Sequence, residues 1–555
     1  MVRLARTEGT GQLMAITGFR KREGLTFKET RPPLALPLTL AGLTGLLQSL
    51  SWFWPGLWPL CFVVLTPLII AVDGQSGRRA FLLGWLSGLI MSLSSLSWLA
   101  AVLSGYGGLG PLLGWVMLGL LAAFLALYQA LWAWLTTLCV ASPLLWALMG
   151  SAAWCGLDWL KNWVFTGFNW TPLAGPLVLA PELSQAADLV GFYGLGFGVA
   201  LINFGLVCAL FKHREGQRAQ ARRWLWAVLL LLLADFGYGW HQYGRWETAA
   251  AEAQKRRVAV VQPVTDQEIK WDEDYRNRLL ARYELLAREA AKLEPWLTLW
   301  PETAMPFIYD YDELESEWLR RLGRELGGQM LVGAAGTLGD WPTRKLTNRM
   351  LLFQNGQLAA YYDKTHLVPF GEYLPLEGLP LLDWPFVQGL IGAAGLYSPG
   401  PPGLPLLAPP LSPGQPTFGQ ARLGLLICFE SIFPYLARER VLAGADLLVV
   451  PTNDGWFGHT RAPEQHLWQS AMRAIETRRP LVRAGNTGIS ALIHPSGRIV
   501  WQSRLFETGT WPLETPILNQ SDLVTTPFVR GGFFLAPALA ILTLALAIIR
   551  FFRKQ

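Results

Sequence analysis

What most constrains this chain is a series of apolar runs with almost no charge, each near the length that crosses a lipid bilayer as a helix. Spanning the hydrocarbon core takes about 20 helical residues. About eight runs approach that size, at 33–53, 56–73, 81–103, 111–140, 143–160, 189–211, 223–240 and 532–549. Ser142-Pro143 separates the fourth from the fifth, because proline disfavours helical geometry in the residue before it. Of the 555 residues, 52% are hydrophobic and only 15% are charged, which is too apolar for an ordinary soluble protein. The net charge of +6 comes largely from short basic loops rather than a basic face, which argues against nucleic-acid binding.

Those loops orient the chain, since lysine and arginine near membrane ends are retained in the cytoplasm. Arg3, Arg6, Arg20, Lys21, Arg22, Lys28 and Arg31 precede the first run, and Arg78 and Arg79 follow the second. Lys212, Arg214, Arg218, Arg222 and Arg223 follow the sixth, and Arg550, Arg553 and Lys554 end the chain. All of them share one side if every run crosses. The segment from about 241 to 531 then lies on the outer face, the periplasm of a Gram-negative cell. The amino-terminal basic stretch has no small-residue cleavage site and does not read as a removable signal peptide.

That outer segment alternates short apolar strands with charged helical patterns, as an α/β domain does. Val258–Gln262, Leu297–Trp300, Met330–Gly333, Leu423–Cys428 and Leu447–Val450 are strand-like, and Glu273–Leu293 has helical spacing. Met350–Gln354 and Leu358–Asp363 flank Asn355-Gly356, a hairpin signal because both turn residues tolerate positive φ. Residues 376–414 are rich in Pro, Gly and Leu and almost uncharged, which suits an arm dipping into the membrane interface or a loop packed on its own domain.

Cys61, Cys139, Cys155 and Cys208 lie in or beside apolar runs, whereas Cys428 stands alone in the polar half and has no disulfide partner there. His366, His459, His466 and His494 show no metal-ligand spacing, and P-loop, dinucleotide and HExxH patterns are missing, so neither metal nor cofactor is expected. Three islands combine polar groups with an apolar or turn-rich context: Trp300–Pro306, Tyr362–Tyr373 and Gly424–Glu430. In the first and third, a strand-like run ends at the polar residue, where α/β sheets present catalytic groups. A thiol with a reference pKa of about 8.5 needs a base or a cationic neighbour to attack an ester. Glu302 can take the proton, Lys364 can hold the developing oxyanion, and Cys428 can attack.

Glu302, Lys364 and Cys428, in this order and these contexts, resemble the Glu-Lys-Cys triad of the nitrilase superfamily. Lys364–Tyr373, Asn453–Gly458 and Met472–Glu476 resemble one branch more closely, the apolipoprotein N-acyltransferases. The resemblance implies an α/β plus membrane-α architecture: an eight-helix transmembrane bundle with a periplasmic nitrilase-like αββα sandwich domain. Its divisions would be a cytoplasmic segment 1–32, seven helices over 33–240, the catalytic domain 241–531 with the apolar loop 376–414, and a last helix and tail 532–555.

By the same resemblance, Glu302 is the general base, Lys364 the oxyanion partner and Cys428 the nucleophile. Glu372 and Glu430 support the site, while Trp271, Trp456 and Phe457 handle substrate. Phe429 follows the nucleophile where some relatives carry tyrosine, so no hydroxyl role is assigned to it. The implied reaction is ping-pong. Cys428 takes an acyl chain from a phospholipid, typically phosphatidylethanolamine, and passes it to the α-amine of the S-diacylglyceryl cysteine of an apolipoprotein. The protein would be a multi-pass inner-membrane monomer. The rival readings are a membrane-anchored carbon-nitrogen hydrolase with water as acceptor, and a transporter with an outer domain. The latter is disfavoured because the runs carry few ionisable residues beyond Asp158 and Asp235.

Overall fold

A computed structural model of the chain describes residues 35–105, 110–138, 142–265, 270, 272–339, 344–373, 397–401, 406–407, 421–518 and 525–554. Each apolar run is helical in its described part: Ala35–Phe53, Pro55–Phe62 with Thr66–Val72, Gly77–Ser95 with Ser97–Gly105, Gly110–Leu138, Pro143–Leu160, Ala187–Arg214, Arg218–Glu252 and Leu535–Lys554. Among the described residues, four of these elements are long and apolar enough to cross a membrane, or five if the bent pair Gly77–Ser95 and Ser97–Gly105 is one span. Length and composition therefore support a membrane protein with several spans.

The second run is a broken helix, because Pro59 and Pro67 each remove a backbone donor. Asn203, fully buried in the facing helix, repairs the break. Its Oδ1 accepts from Leu65 N at 2.9 Å and Thr66 N at 3.2 Å, and its Nδ2 donates to Cys61 O at 3.0 Å. Close packing elsewhere depends on small residues, as helix association in lipid requires. A Cβ on Gly88 would meet Ala126 Cα at 2.8 Å, and one on Gly156 would meet Ala540 Cα at 2.6 Å, which seats the carboxy-terminal helix back on Pro143–Leu160.

The helix Arg218–Glu252 runs directly into a sandwich of two six-stranded sheets. The strands are β1 Gln254–Gln262, β2 Leu297–Leu299, β3 Gln329–Leu338, β4 Lys345–Gln354, β5 Gln357–Asp363, β6 Leu406–Leu407, β7 Arg422–Leu425, β8 Leu447–Thr452, β9 Leu481–Gly485, β10 Ala491–Ile493, β11 Ile499–Gln502 and β12 Gly509–Ile517. One sheet has the order β12-β1-β2-β3-β4-β5 and the other β11-β10-β9-β8-β7-β6. Val258, Leu299, Leu331, Leu352, Leu423, Ile427 and Val449 belong to the core between them. Helices Glu273–Ala291 and Glu313–Leu326 cover the first sheet, and Pro434–Leu442 and Ala462–Thr477 cover the second. The layers are αββα, as expected.

The core under Ala462–Thr477 is continuous with that of the membrane helices, so the two halves are packed together. Buried polar pairs key the contact. Arg478 donates to Asp188 Oδ2 at 2.7 Å and to Gln185 Oε1 at 2.6 Å, and Glu476 Oε1 accepts from Phe192 N at 2.8 Å beside the positive-φ Gly191. Replacing Asn203 by leucine strands the Leu65 N–H in an apolar setting, while Thr66 N keeps its bond to Val63 O at 3.1 Å. The cost is about 1–3 kcal/mol, read as a lowered apparent melting temperature in detergent; unchanged melting contradicts the capping role.

Candidate active site

β2 ends at Leu299, and the chain turns through Pro301 to place Glu302 at the sheet end, with Thr303 at φ 41°. Gly333 on β3 permits this turn: a Cβ there would meet Pro301 O at 2.2 Å and Thr303 N at 2.6 Å. Lys364 follows the last residue of β5, and its N donates to Asn348 O at 2.8 Å. β7 ends three residues before Cys428, which opens a 3₁₀ turn over Cys428–Ile432. Cys428 has φ 49°, a left-handed backbone of a kind that concentrates at functional sites.

These turns converge. Lys364 Nζ donates to Glu302 Oε1 and Glu372 Oε1, both at 3.0 Å, and all three side chains are buried. Asn348 Nδ2 donates to the same two oxygens at 2.7 and 2.8 Å, closing a ring of two donors and two acceptors. Asn453 N donates to Glu302 Oε2 at 2.8 Å, and Val368 N to Glu372 Oε2 at 2.8 Å. Burial opposes the Lys364 ammonium, but Glu302 and Glu372 outweigh it and hold its pKa well above the usual lysine value. Burial and the neighbouring Glu302 raise the Glu372 carboxyl against the pull of Lys364.

Burial and Glu302 also push the Cys428 thiol up, with Lys364 opposing. The three expected residues thus act on one another. The resting sulfur is protonated and becomes nucleophilic only when a base removes its proton. The arrangement supplies an acceptor for that proton, Glu302, and a cation for an oxyanion, Lys364.

Glu430 has a different task. Its carboxylate accepts from Tyr362 Oη at 2.9 Å, Thr365 N at 2.7 Å, His366 N at 3.0 Å and Ile427 N at 2.7 Å, tying the Lys364 loop to the Cys428 turn. Phe429 is buried, with its ring stacked on Phe168 at 6.2 Å between centroids. Trp456 is exposed, and Phe457 packs edge-on against Trp98 of the membrane half at 4.8 Å. Trp271 lies outside the described residues, as does most of 376–414. In the described part of that segment, Tyr397 N donates to Glu372 O and Gly400 N to Lys364 O, each at 2.8 Å, so it frames the site directly.

Sequence reading missed Asn348 and Asn453. Asn348 sits between Thr347 and Arg349 in the polar half of its strand, with no turn or motif signal, whereas Asn453 lies in a quoted motif and acts through its backbone. Cys428, Asp454 and His466 offer ligand atoms within 4.8 Å of one another. Arg483 Nη2 stands 2.6 Å from Asp454 Oδ2 and 3.0 Å from His466 Nδ1, so a cation bound there would face a guanidinium.

A raised Glu372 pKa means that the folded protein keeps a proton that the unfolded chain releases, so stability falls as pH climbs from the ordinary value of 4.5 through the folded one. Glu372→Gln removes this titration. The variant should gain melting temperature relative to the parent as pH rises above the ordinary carboxyl value of 4.5; a difference that stays flat with rising pH contradicts the raised direction.

Residues 44–205 match the apolipoprotein N-acyltransferase N-terminal domain family, and residues 257–515 match the carbon-nitrogen hydrolase family. Apolipoprotein N-acyltransferase of Geobacter metallireducens is 36% identical over 84% of this chain and 87% of its own length. The Azotobacter vinelandii protein of the same name is 33% identical over 92% of this chain and 94% of its own. Among solved structures, NitN amidase from Neterenkonia sp. AN1 is 22% identical and covers 50% of this chain and 96% of its own, with a TM-score of 0.34. The membrane helices, the αββα sandwich and the sequence match over both place this chain in the apolipoprotein N-acyltransferase family.

Proposed function

We propose that this protein transfers a fatty acyl chain from a phospholipid to the N-terminal amine of a diacylated lipoprotein through a thioester on Cys428. The observation that carries the reading is the convergence of Glu302, Lys364 and Cys428 in one buried cluster.

Glu302 takes the thiol proton as Sγ attacks the ester carbonyl of the donor. The oxyanion is held by the Lys364 ammonium and by the Phe429 N–H, for which no acceptor is found among the described residues. The intermediate collapses, the C–O bond breaks, and the leaving alkoxide recovers the proton from Glu302 as a lysophospholipid. The acceptor amine then attacks the thioester; the C–S bond breaks, and the amine proton passes to Glu302 and on to the thiolate. Glu372 and Asn348 hold Lys364 and Glu302 in register throughout.

Phosphatidylethanolamine fits as donor, and both substrates are lipid-anchored. Withdrawing acyl chains into water costs about 0.8 kcal/mol per CH₂, which accounts for a catalytic domain packed on membrane helices. The eight helical runs and one-sided basic loops support eight crossings, an inner-membrane location and a catalytic domain in the periplasm. Division at 1–32, 33–240, 241–531 and 532–555, and action as a monomer, complete the reading. Trp456, exposed beside Phe457, and Trp271 are its candidate substrate contacts, and the apolar 376–414 segment, whose described part touches Glu372 and Lys364, its lid.

Cys428→Ala, Glu302→Gln and Lys364→Ala should each lower acyl transfer from phosphatidylethanolamine to a diacylated lipopeptide by roughly 100-fold or more; melting temperature is preserved in the first two and falls in Lys364→Ala, which leaves Glu302 and Glu372 buried without their cation. Normal turnover in Cys428→Ala removes the nucleophile assignment. Steady release of fatty acid by the parent protein without acceptor points instead to hydrolysis.

A further inference from the structure

Behind Cys428 lies a network of fully buried polar side chains that the reaction above does not use. His466, on the helix Ala462–Thr477, points Nε2 at the Cys428 carbonyl oxygen, 3.0 Å away. Ser431 Oγ donates to the same oxygen at 2.9 Å and lies 2.9 Å from Nε2. At the other edge of the ring, Nδ1 stands 3.1 Å from Asp454 Oδ1 and 3.0 Å from Arg483 Nη2. Arg483 also donates to Asp454 Oδ2 at 2.6 Å, and Thr452 Oγ1 to Asp454 Oδ1 at 2.8 Å.

The partners select the tautomer. A carbonyl only accepts and a guanidinium only donates. With the proton on Nε2, the ring donates to Cys428 O and accepts from Arg483, and one unfavourable pair remains, Nδ1 against Asp454. With the proton on Nδ1, the ring donates to Asp454 but two unfavourable pairs remain, bare Nε2 against the carbonyl and N–H against Arg483, and Ser431 Oγ can serve Nε2 only by giving up its own bond to Cys428 O. The Nε2–H form therefore prevails.

The bonded carbonyl belongs to the peptide unit that carries the Phe429 N–H. That unit is planar and trans, so its C=O and N–H point in opposite directions, and fixing one aims the other. We propose that His466 is a positioning residue that, by holding the Cys428 carbonyl, aims the Phe429 N–H at the oxyanion of the reacting ester. The inference rests on the thioester reading of Cys428. It also links the two halves of the molecule. Trp170, from the segment between membrane helices, lies 5.4 Å from the imidazole between ring centroids, and its Nε1 donates to Gln465 Oε1 at 2.8 Å. Gln469 Nε2 returns a bond to Trp170 O at 2.8 Å. The ring that aims the oxyanion donor is thus packed from the membrane side.

Two substitutions separate the edges of the ring. His466→Gln places an amide near Nε2, within reach of the Cys428 carbonyl; His466→Asn places one near Nδ1, within reach of Asp454 and Arg483 but not of that carbonyl. Two reactions separate aiming from mere folding. Acylation of Cys428 by phosphatidylethanolamine passes through an oxyanion, whereas alkylation by iodoacetamide does not. In full-length protein, His466→Asn should slow acylation by roughly 100-fold, with alkylation within about threefold of the parent, and His466→Gln should recover at least about tenfold of the loss.

Equal loss of acylation in the two variants, parallel loss of acylation and alkylation, or no loss in either variant overturns the proposal. His466→Ala is not needed, so a variant with a vacated core does not decide the outcome. Failure of the thioester reading shows separately, as acyl transfer that survives Cys428→Ala.

Discussion

The site depends on one buried ammonium shared by two buried carboxylates. Lys364 lies between Glu302 and Glu372 at 3.0 Å from each, and Asn348 binds the same two oxygens from its own strand. Removing three charges from water is costly, and only mutual attraction with full hydrogen bonding offsets the cost. The result is a rigid cluster with one negative charge in excess when both carboxylates are ionised. Burial first, and Glu302 second, keep the neighbouring thiol protonated until substrate arrives, so the nucleophile is made when it is needed rather than stored as a thiolate.

Rigidity extends into the backbone. Thr303, next to the base, and Cys428 itself adopt positive φ, conformations that cost of order 1–3 kcal/mol each and persist only when their surroundings fix them. Gly333 makes room for the first turn, and His466, Ser431 and Glu430 fix the second. Several of these supports lie on or against Ala462–Thr477, the helix whose core merges with that of the membrane half. Chemistry and membrane attachment therefore share a structural element.

Much of this was legible in the sequence because the relevant signals are local. β1, β3, β4, β5 and β8 contain their expected strands, and Asn355 and Gly356 adopt positive φ, as the hairpin signal required. The Leu423–Cys428 run was read too long. Its apolar pattern continues to Ile427, but the strand ends at Leu425 and the next residues turn to present the thiol. Asn348 was invisible: between Thr347 and Arg349 in a half-polar strand it carries no periodic or turn signal, and its value comes from residues 46 and 24 positions away. The His466–Asp454–Arg483 network was hidden for the same reason. Counts of spans are less secure from sequence because an apolar run broken by proline, such as Pro55–Val72, gives a helix in pieces.

The account is tested most directly by intact-protein mass spectrometry after mixing the protein with phosphatidylethanolamine alone and then with a diacylated lipopeptide. It predicts one hydroxylamine-labile adduct of fatty-acyl mass, mapped to Cys428, that builds up without acceptor and disappears when acceptor is added. Full acyl transfer with no such adduct, or an adduct that maps to another residue, would contradict it.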